Sequence, residues 1–187
     1  MIPRVIQITG LAEAELLARI DRGGPDLGVQ LRSPELSARE LLTLGRTLRE
    51  RTRRVGALFF VNDRLDLALL LEADGIHLGR GSVDAREARR ALGAKLVTRS
   101  VHDERDLSAA LAEGVDAALV SPIFASPEKG SPRGLAWLTA LHARAPDLAL
   151  VALGGVTAQN AAACFAAGAA AVAGIRHDLT AWIGTRL

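Results

Sequence analysis

Polar side chains follow the short apolar segments of this sequence at several points. Gln30 and Arg32 flank Leu31, so in an extended strand both polar side chains point to one side. A cationic side chain placed there needs an anion to compensate it. Two interpretations stay open: recognition of a phosphate or a heteroatom-rich ring, and an ion pair that closes the floor of the fold.

The apolar segment that ends at Asn62 is followed directly by Asp63. A carboxylate and an amide are suitable oxygen ligands for a divalent cation. Aspartate is also a preferred residue for capping the helix that follows. The spacing favours the cap, and a metal site is the alternative.

A stretch rich in Pro, Gly and Ser covers residues 121–134 and carries Lys129. It is too polar for a core and too long for a minimal turn, which is typical of an active-site loop. Lys129 would neutralise phosphate as a point charge. The alternative is a solvated surface loop.

Gly154 and Gly155 stand between an apolar segment and a helical one. Backbone N–H groups at such a junction can hold an anion, with help from the helix dipole. Gly174 and Arg176 occupy the corresponding position after the last apolar segment. A plain tight turn is the alternative for the glycine pair.

Four further side chains are candidates for chemistry. His77 is most simply explained as a hydrogen-bonded structural histidine. Ser100 and His102 share one face of a strand, but this spacing alone does not make a nucleophile and base pair. Cys164 lies in an alanine-rich run, which predicts a buried and inert thiol.

The elements that must position these residues alternate strictly between strand and helix. Apolar, β-branched runs predict eight strands, which end near residues 9, 31, 61, 78, 98, 120, 153 and 175. Helical periodicity between them predicts parallel βαβ units. The similar strings EADGIHL, EGVDAALV and AGAAAVAGI support a repeated unit. We therefore predict an α/β fold, one compact (β/α)₈ TIM barrel over residues 1–187, with an open doubly wound sheet as the alternative.

Two helix starts can be predicted in detail. Ser37 and Glu40 form a capping-box pattern, and Thr157 is the expected cap of a helix that begins near Ala158. In a barrel, the residues that carry function lie at the carboxyl ends of the strands, and phosphate is often bound after strands seven and eight. The polar residues described above fall at these ends.

Composition argues against several classes of function. A net charge of +2 and 3% aromatic residues disfavour a nucleic-acid binder. The single cysteine suits a reducing cytoplasm. The first residues lack the apolar run of a signal peptide, and no membrane span is expected. We expect small-molecule partners in the cytoplasm, and an oligomer stays possible.

Together these residues resemble the thiamine phosphate synthase superfamily, which also contains the thiazole tautomerases. The resemblance runs from Leu27 to Ile175 and is carried by the motifs VQLR, FFVNDRLDLALLLEADGIHLG, RSVHD, SPIFASPEKG and VALGGVTAQN. It implies a (β/α)₈ barrel that joins a hydroxymethylpyrimidine diphosphate to a thiazole phosphate, with release of pyrophosphate and use of Mg²⁺.

The resemblance also implies roles for matching positions. Gln30, Arg32 and Asn62 would contact the pyrimidine diphosphate, and Asp63 would bind Mg²⁺. Ser100 would lie beside the pyrimidine, Ser126 on the thiazole side, and Lys129 against the pyrophosphate. The thiazole phosphate would be held by Gly154, Gly155, Ile175 and Arg176. Arg32, Ser100 and Lys129 are the expected catalytic residues.

Three positions depart from the synthase pattern. Pro34 replaces a lysine, Ser82 replaces a second Mg²⁺-binding aspartate, and Glu128 replaces a threonine beside Lys129. Two alternatives to the synthase follow: a thiazole phosphate tautomerase with His102 or His77 as proton carrier, and a non-catalytic binder of thiazole phosphate. The tautomerase pattern is incomplete too, because Pro122 lies in the stretch where that branch has its histidine.

Overall fold

The strands of the molecule run parallel and close on themselves. The structure is a computed structural model that describes residues 1–126 and 130–184. Within these residues the strands form a closed barrel in chain order, so β1 pairs with both β2 and β8. The strands are β1 (Val5–Ile8), β2 (Leu27–Leu31), β3 (Leu58–Asn62), β4 (Gly75–Leu78), β5 (Leu96–Val101), β6 (Ala117–Val120), β7 (Ala149–Ala152) and β8 (Ala171–Gly174). The predicted (β/α)₈ barrel is confirmed, and the open doubly wound sheet is wrong.

A helix follows each of the first seven strands. They are α1 (Glu13–Asp21), α2 (Ala38–Val55), α3 (Leu65–Leu70), α4 (Ala85–Leu92), α5 (Glu104–Glu113), α6 (Gly134–Arg144) and α7 (Ala161–Ala166), and a 3₁₀ turn (Thr180–Trp182) comes after β8. The capping box of α2 is formed as predicted, with the Ser37 side chain accepting from the Glu40 N–H.

The start of α7 differs from the prediction. Thr157 does not cap the helix, because α7 begins at Ala161 with Asn160 as its N-cap. The Thr157 N–H donates to Asn160 Oδ1 at 2.8 Å, and the Asn160 N–H donates to Thr157 Oγ1 at 3.3 Å. These reciprocal bonds have the pattern of a capping box, and they close a turn that leads into α7.

Side chains that alternate along the strands divide the core into two parts. One apolar cluster, which includes Leu119, Val151 and Ala173, fills the barrel, and a larger one lies between the sheet and the helices. Phe60 is the large aromatic residue of the interior, and it needs space on the neighbouring strand β4. A Cβ at Gly75 would lie 2.6 Å from the Phe60 ring, so only glycine fits there without displacing the ring.

The amino ends of two strands carry the same ionic tie. Asp74 accepts from the Phe59 N–H at 2.8 Å and is bound by both terminal nitrogens of Arg49, at 2.7 and 3.1 Å. Two βα units later, Asp116 accepts from the Val97 N–H at 2.7 Å and from Arg89 at 2.8 Å. Each aspartate thereby joins the strand that it precedes to the previous strand and to the helix before that previous strand, which is α2 for Asp74 and α4 for Asp116.

These ties explain why the strings EADGIHL and EGVDAALV are alike. In the third string Ala170 takes the aspartate's place and keeps only the backbone bond to Leu150 O, at 2.8 Å. The internal similarity of the sequence is therefore structural in origin.

Removing one of these ties should weaken the barrel. Asp74→Ala is expected to lower the free energy of unfolding by about 2–3 kcal/mol. The substitution leaves the largely buried guanidinium of Arg49 without its carboxylate partner and the Phe59 N–H without its acceptor. Urea denaturation measures this. The matched control is Asp66→Ala, which breaks an exposed pair with Arg64 and should cost less than about 1 kcal/mol. Equal losses in the two variants would contradict the role assigned to Asp74.

The thiol of Cys164 is fully buried, and burial raises its pKa to about 11. This agrees with the prediction of an inert side chain.

No helix in residues 1–126 and 130–184 is both long enough and apolar enough to cross a membrane.

Candidate active site

A cleft of about 490 Å³ opens at the carboxyl ends of the strands. It is lined by nine of the residues predicted from the sequence: Gln30, Arg32, Asn62, Ser100, Ser126, Gly154, Gly155, Ile175 and Arg176. Residues from six different strand ends therefore converge on one space. Asp63 is not part of this lining, and Lys129 and Glu128 lie outside the described residues.

An amide pair lies at the carboxyl ends of β2 and β3. Gln30 is 2% exposed, and its Nε2 donates to Asn62 Oδ1 at 3.1 Å. Arg32 follows β2 and is exposed at the mouth of the cleft, where no described carboxylate pairs with it. The interpretation of Arg32 as part of an ion pair at the barrel floor is wrong, because the residue follows the carboxyl end of its strand. Its guanidinium is available to an anion in the cleft.

Ser100 is paired with a histidine from the neighbouring strand. His77 is buried, with Nε2 2.9 Å from Ser100 Oγ and Nδ1 2.9 Å from Thr98 Oγ1. Thr98 Oγ1 also lies 3.4 Å from Ile76 O, to which it can only donate. The consistent arrangement has Nδ1–H donating to Thr98 and Nε2 accepting from the Ser100 hydroxyl. His77 is hydrogen-bonded on both sides, and it orients Ser100 at the cleft.

His102 is held differently. Its backbone N–H donates to Asp106 Oδ2 at 2.9 Å, and Nδ1 lies 2.9 Å from the carbonyl oxygen of Ser121. Since a carbonyl only accepts, Nδ1 carries a proton, and in the neutral ring the lone pair is therefore on Nε2. His102 and Ser121 both line the cleft. Ser121 is the first residue after β6 and begins the stretch predicted as an active-site loop, but nothing in the sequence singles it out.

The charges around the cleft favour an anion. Arg32, Arg80 and Arg176 belong to its lining, and no Asp or Glu of the described residues does. Arg80 is partly compensated by Asp106 and Asp103, at 2.6 and 2.7 Å. The bond that Asp103 accepts from the Asp106 N–H, together with the nearby Arg80, lowers the pKa of the Asp103 carboxyl.

Two loops meet beside the glycine pair. The Ile123 N–H donates to Leu153 O at 3.0 Å, and the Phe124 N–H donates to Gly154 O at 2.9 Å. Asn160 Nδ2 donates to Gly155 O at 3.0 Å. Both glycines have positive φ, 92° and 63°. The loop after β6, which carries Ser126, is thus fixed against the loop after β7.

The glycine pair is not at a helix N-terminus, as the sequence had suggested. The turn built by Thr157 and Asn160 separates it from α7, which has only six residues. Any anion held here is bound by the loop and not by the dipole of α7.

Asp63 does not cap α3. That helix begins at Leu65 after Arg64, without a side-chain cap, and the Asp63 N–H donates to His77 O at 2.8 Å. The φ of Asp63 is 63°, an uncommon conformation for a residue with a side chain. Its side chain is exposed beside the carboxyl end of β3.

The residues near Asp63 would fit Mg²⁺ only together with oxygen ligands from a bound molecule. Among the described residues, no group of three or more His, Cys, Asp or Glu side chains converges to hold a metal. Ser82, in place of the expected second carboxylate, uses its Oγ to accept from the Gly79 N–H at 2.7 Å. Mg²⁺ commonly binds one or two carboxylates together with substrate phosphates and water. Asp63 with Asn62 meets that requirement only when a phosphorylated ligand is present.

The fold and the cleft define a (β/α)₈ barrel protein with a polar, cationic small-molecule site at the carboxyl ends of its strands. The family model described as thiamine monophosphate synthase matches residues 7–177, and the chain belongs to this family. The thiamine-phosphate synthase of Moorella thermoacetica is 45% identical over 82% of this chain and 74% of that protein. That of Methanoculleus marisnigri is 43% identical over 88% of this chain and 79% of that protein.

A solved structure agrees with these relatives. Thiamine phosphate pyrophosphorylase from Pyrococcus furiosus superposes with a TM-score of 0.84 at 27% identity, covering 95% of this chain and 90% of the other. The family resemblance and the assignment as a thiamine-phosphate synthase-like protein of thiamine biosynthesis are confirmed.

Proposed function

We propose that this chain couples a hydroxymethylpyrimidine diphosphate to a thiazole phosphate and releases pyrophosphate. The observation that carries the proposal is the convergence of Gln30, Arg32, Asn62 and Ser100 with the loops after β7 and β8 on one cleft. Two anionic substrates need two sets of polar groups at one mouth, and the cleft offers them from opposite sides of the barrel.

The reaction requires one bond to break and one to form. The C–O bond between the pyrimidine methylene carbon and the diphosphate breaks, and the thiazole nitrogen forms a C–N bond to that carbon. The leaving group takes the bonding electrons, so negative charge develops on pyrophosphate. Cationic groups fixed in advance near that charge lower the barrier more than a base would.

The residues divide between the two substrates. Gln30 and Asn62, joined to each other, present amide groups to the pyrimidine side. Ser100 is oriented by His77 beside the reacting carbon. Arg32 lies where the diphosphate would leave, and Lys129 is proposed to join it there. On the other side, Ser126, the glycine pair and residues 175–176 would hold the thiazole phosphate.

Asp63, with Asn62, would hold Mg²⁺ on the diphosphate. When bound, the metal supplies positive charge to the leaving group. The protein itself contributes few metal ligands, because the Asp63 carboxylate is exposed and position 82 holds a serine in place of a second aspartate. We also propose that the protein acts in the cytoplasm and that its partners are small molecules.

A second candidate function rests on His102. Its Nδ1–H donates to Ser121 O, so the basic Nε2 is the nitrogen available to a molecule in the cleft. Such a histidine can move a proton between two carbons of a bound thiazole phosphate. His77 is less suited to this role, because both of its ring nitrogens are already hydrogen-bonded.

The test is product formation. With both phosphorylated substrates and Mg²⁺, the wild-type chain is expected to form thiamine phosphate and pyrophosphate in equal amounts. Lys129→Ala should form them about 10²-fold more slowly, because one charge opposite the leaving group is lost. Chromatography of thiamine phosphate and a coupled pyrophosphate assay measure both products.

The control is Lys95→Ala, a change at the amino end of β5, which should keep the wild-type rate. If the wild-type chain forms no more product than Lys129→Ala, the synthase proposal fails. Interconversion of thiazole phosphate tautomers without thiamine phosphate, followed by NMR, would favour the isomerase instead.

A further inference from the structure

Two buried polar residues behind the barrel wall are bonded to each other. Gln7 in β1 and Arg19 in α1 are each 4% exposed, and Arg19 Nη1 donates to Gln7 Oε1 at 2.9 Å. Arg19 also pairs with Glu15 at 2.7 Å, one turn earlier in α1. Burying a guanidinium is costly unless its N–H groups are satisfied. The other hydrogen-bond partners of Gln7 and Arg19 therefore show which part of the fold this buried pair holds in place.

Apart from Ile8 O in β1 itself, those partners are the carbonyl groups at the end of β8 and just after it. Gln7 Nε2 donates to Ile8 O and to Ile175 O, both at 2.8 Å, with a longer contact to Gly174 O at 3.3 Å. Arg19 donates to Arg176 O at 2.9 Å and to His177 O at 2.8 Å. The pair thus holds the carbonyl oxygens of every residue from 174 to 177. In an extended strand successive carbonyls point to opposite sides, so this segment is turned out of the strand conformation.

This arrangement has a consequence for the opposite side of the segment. In a trans peptide the C=O and N–H groups point in opposite directions. When the carbonyls of residues 174–176 are held toward Gln7 and Arg19, the next N–H groups, those of Ile175, Arg176 and His177, point away from the pair. These three residues line the cleft. Successive N–H groups turned to one side make a concave site that suits an anion.

We propose that Gln7 and Arg19 are positioning residues for the phosphate of the thiazole substrate. They do not touch the substrate; they hold the loop after β8 so that its N–H groups face the anion, and Arg19 places a positive charge behind it. This rests on the proposed function, and it adds two residues that no motif of the cleft contains.

The experiment compares Arg19→Met with the wild-type chain. The KM for thiazole phosphate should rise about 10–100-fold, as is typical when a supporting partner is removed. The KM for the pyrimidine diphosphate, and kcat at saturating thiazole phosphate, should stay within about twofold, because the lost effect is on binding of one substrate. Arg19→Lys keeps the charge and should recover part of the loss.

A matched control separates positioning from general stability. Arg49 is also largely buried and ion-paired, but it acts at the amino ends of the strands. Arg49→Met should lower the melting temperature at least as much as Arg19→Met, with both KM values unchanged. If Arg19→Met raises both KM values equally, or neither, the positioning role is overturned.

Calorimetric titration with thiazole phosphate alone distinguishes this inference from the proposed function. If the wild-type chain forms no thiamine phosphate but binds thiazole phosphate, and Arg19→Met binds it at least 10-fold more weakly, the positioning role stands without the synthase activity. Equal affinities in the two proteins, or no binding by the wild-type chain, would overturn it.

Discussion

Replacing Arg32 by methionine is expected to lower kcat for thiamine phosphate formation by about 10²–10³-fold. Methionine keeps an unbranched side chain of similar reach and removes only the charge and the donors. Arg32 is exposed at the cleft mouth and has no carboxylate partner among the described residues, so its guanidinium is not committed to the fold. The loss should therefore appear when charge develops on the leaving diphosphate.

Single-turnover measurements with both substrates saturating give the rate of this step directly. Arg46→Met is the matched control, since Arg46 is an exposed residue of α2 that does not line the cleft. It should leave kcat unchanged. Arg32→Lys is expected to fall between the two, because a lysine keeps the charge and loses the forked geometry. A normal rate in Arg32→Met would remove this residue from the leaving-group site.

The second large effect is expected for Gly155→Ala. An added Cβ would lie 2.4 Å from Ala125 O and 2.8 Å from Phe124 Cβ, so the loops after β6 and β7 must move apart. A shift of about 1 Å in a positioning loop can cost 10²-fold in catalysis. We expect kcat/KM for thiazole phosphate to fall by about that factor.

The control for Gly155→Ala exists in the same chain. Gly56 ends α2 with φ 73°, close to the 63° of Gly155, but a Cβ there would meet nothing within 4 Å. Gly56→Ala introduces the same backbone strain, about 1–2 kcal/mol, without the collision. Its activity should match the wild type after correction for folded protein. If the two variants lose activity equally, backbone strain and not loop collision is the cause.

The fold could be predicted largely from the sequence. β-Branched runs and capping residues act over a few neighbours, so the eight strands and the Ser37 cap were accessible. The start of α7 was predicted too early, because the turn closed by Thr157 and Asn160 comes before the first residue of the helix. Asp63 was misjudged as a cap for a similar reason: its backbone is held by His77 on the neighbouring strand.

The residues that line the cleft could be predicted better than the hydrogen bonds between them. Each strand end showed its polar residues, yet the partner of Ser100 depends on register between strands. β4 and β5 align His77 with Thr98, which puts His77 within reach of Ser100, whereas His102 turns to Ser121. The bonds from Gln7 and Arg19 to residues 174–177 join the two ends of the chain, and they exist only because the barrel closes.

The aspartate ties of Asp74 and Asp116 lie at the end of the barrel opposite the cleft. The side chains that tie the strands together at the amino ends are therefore different from those that line the cleft. Substitutions in the loops at the carboxyl ends of the strands can therefore change substrate choice without touching the ties of Asp74 and Asp116 at the amino ends.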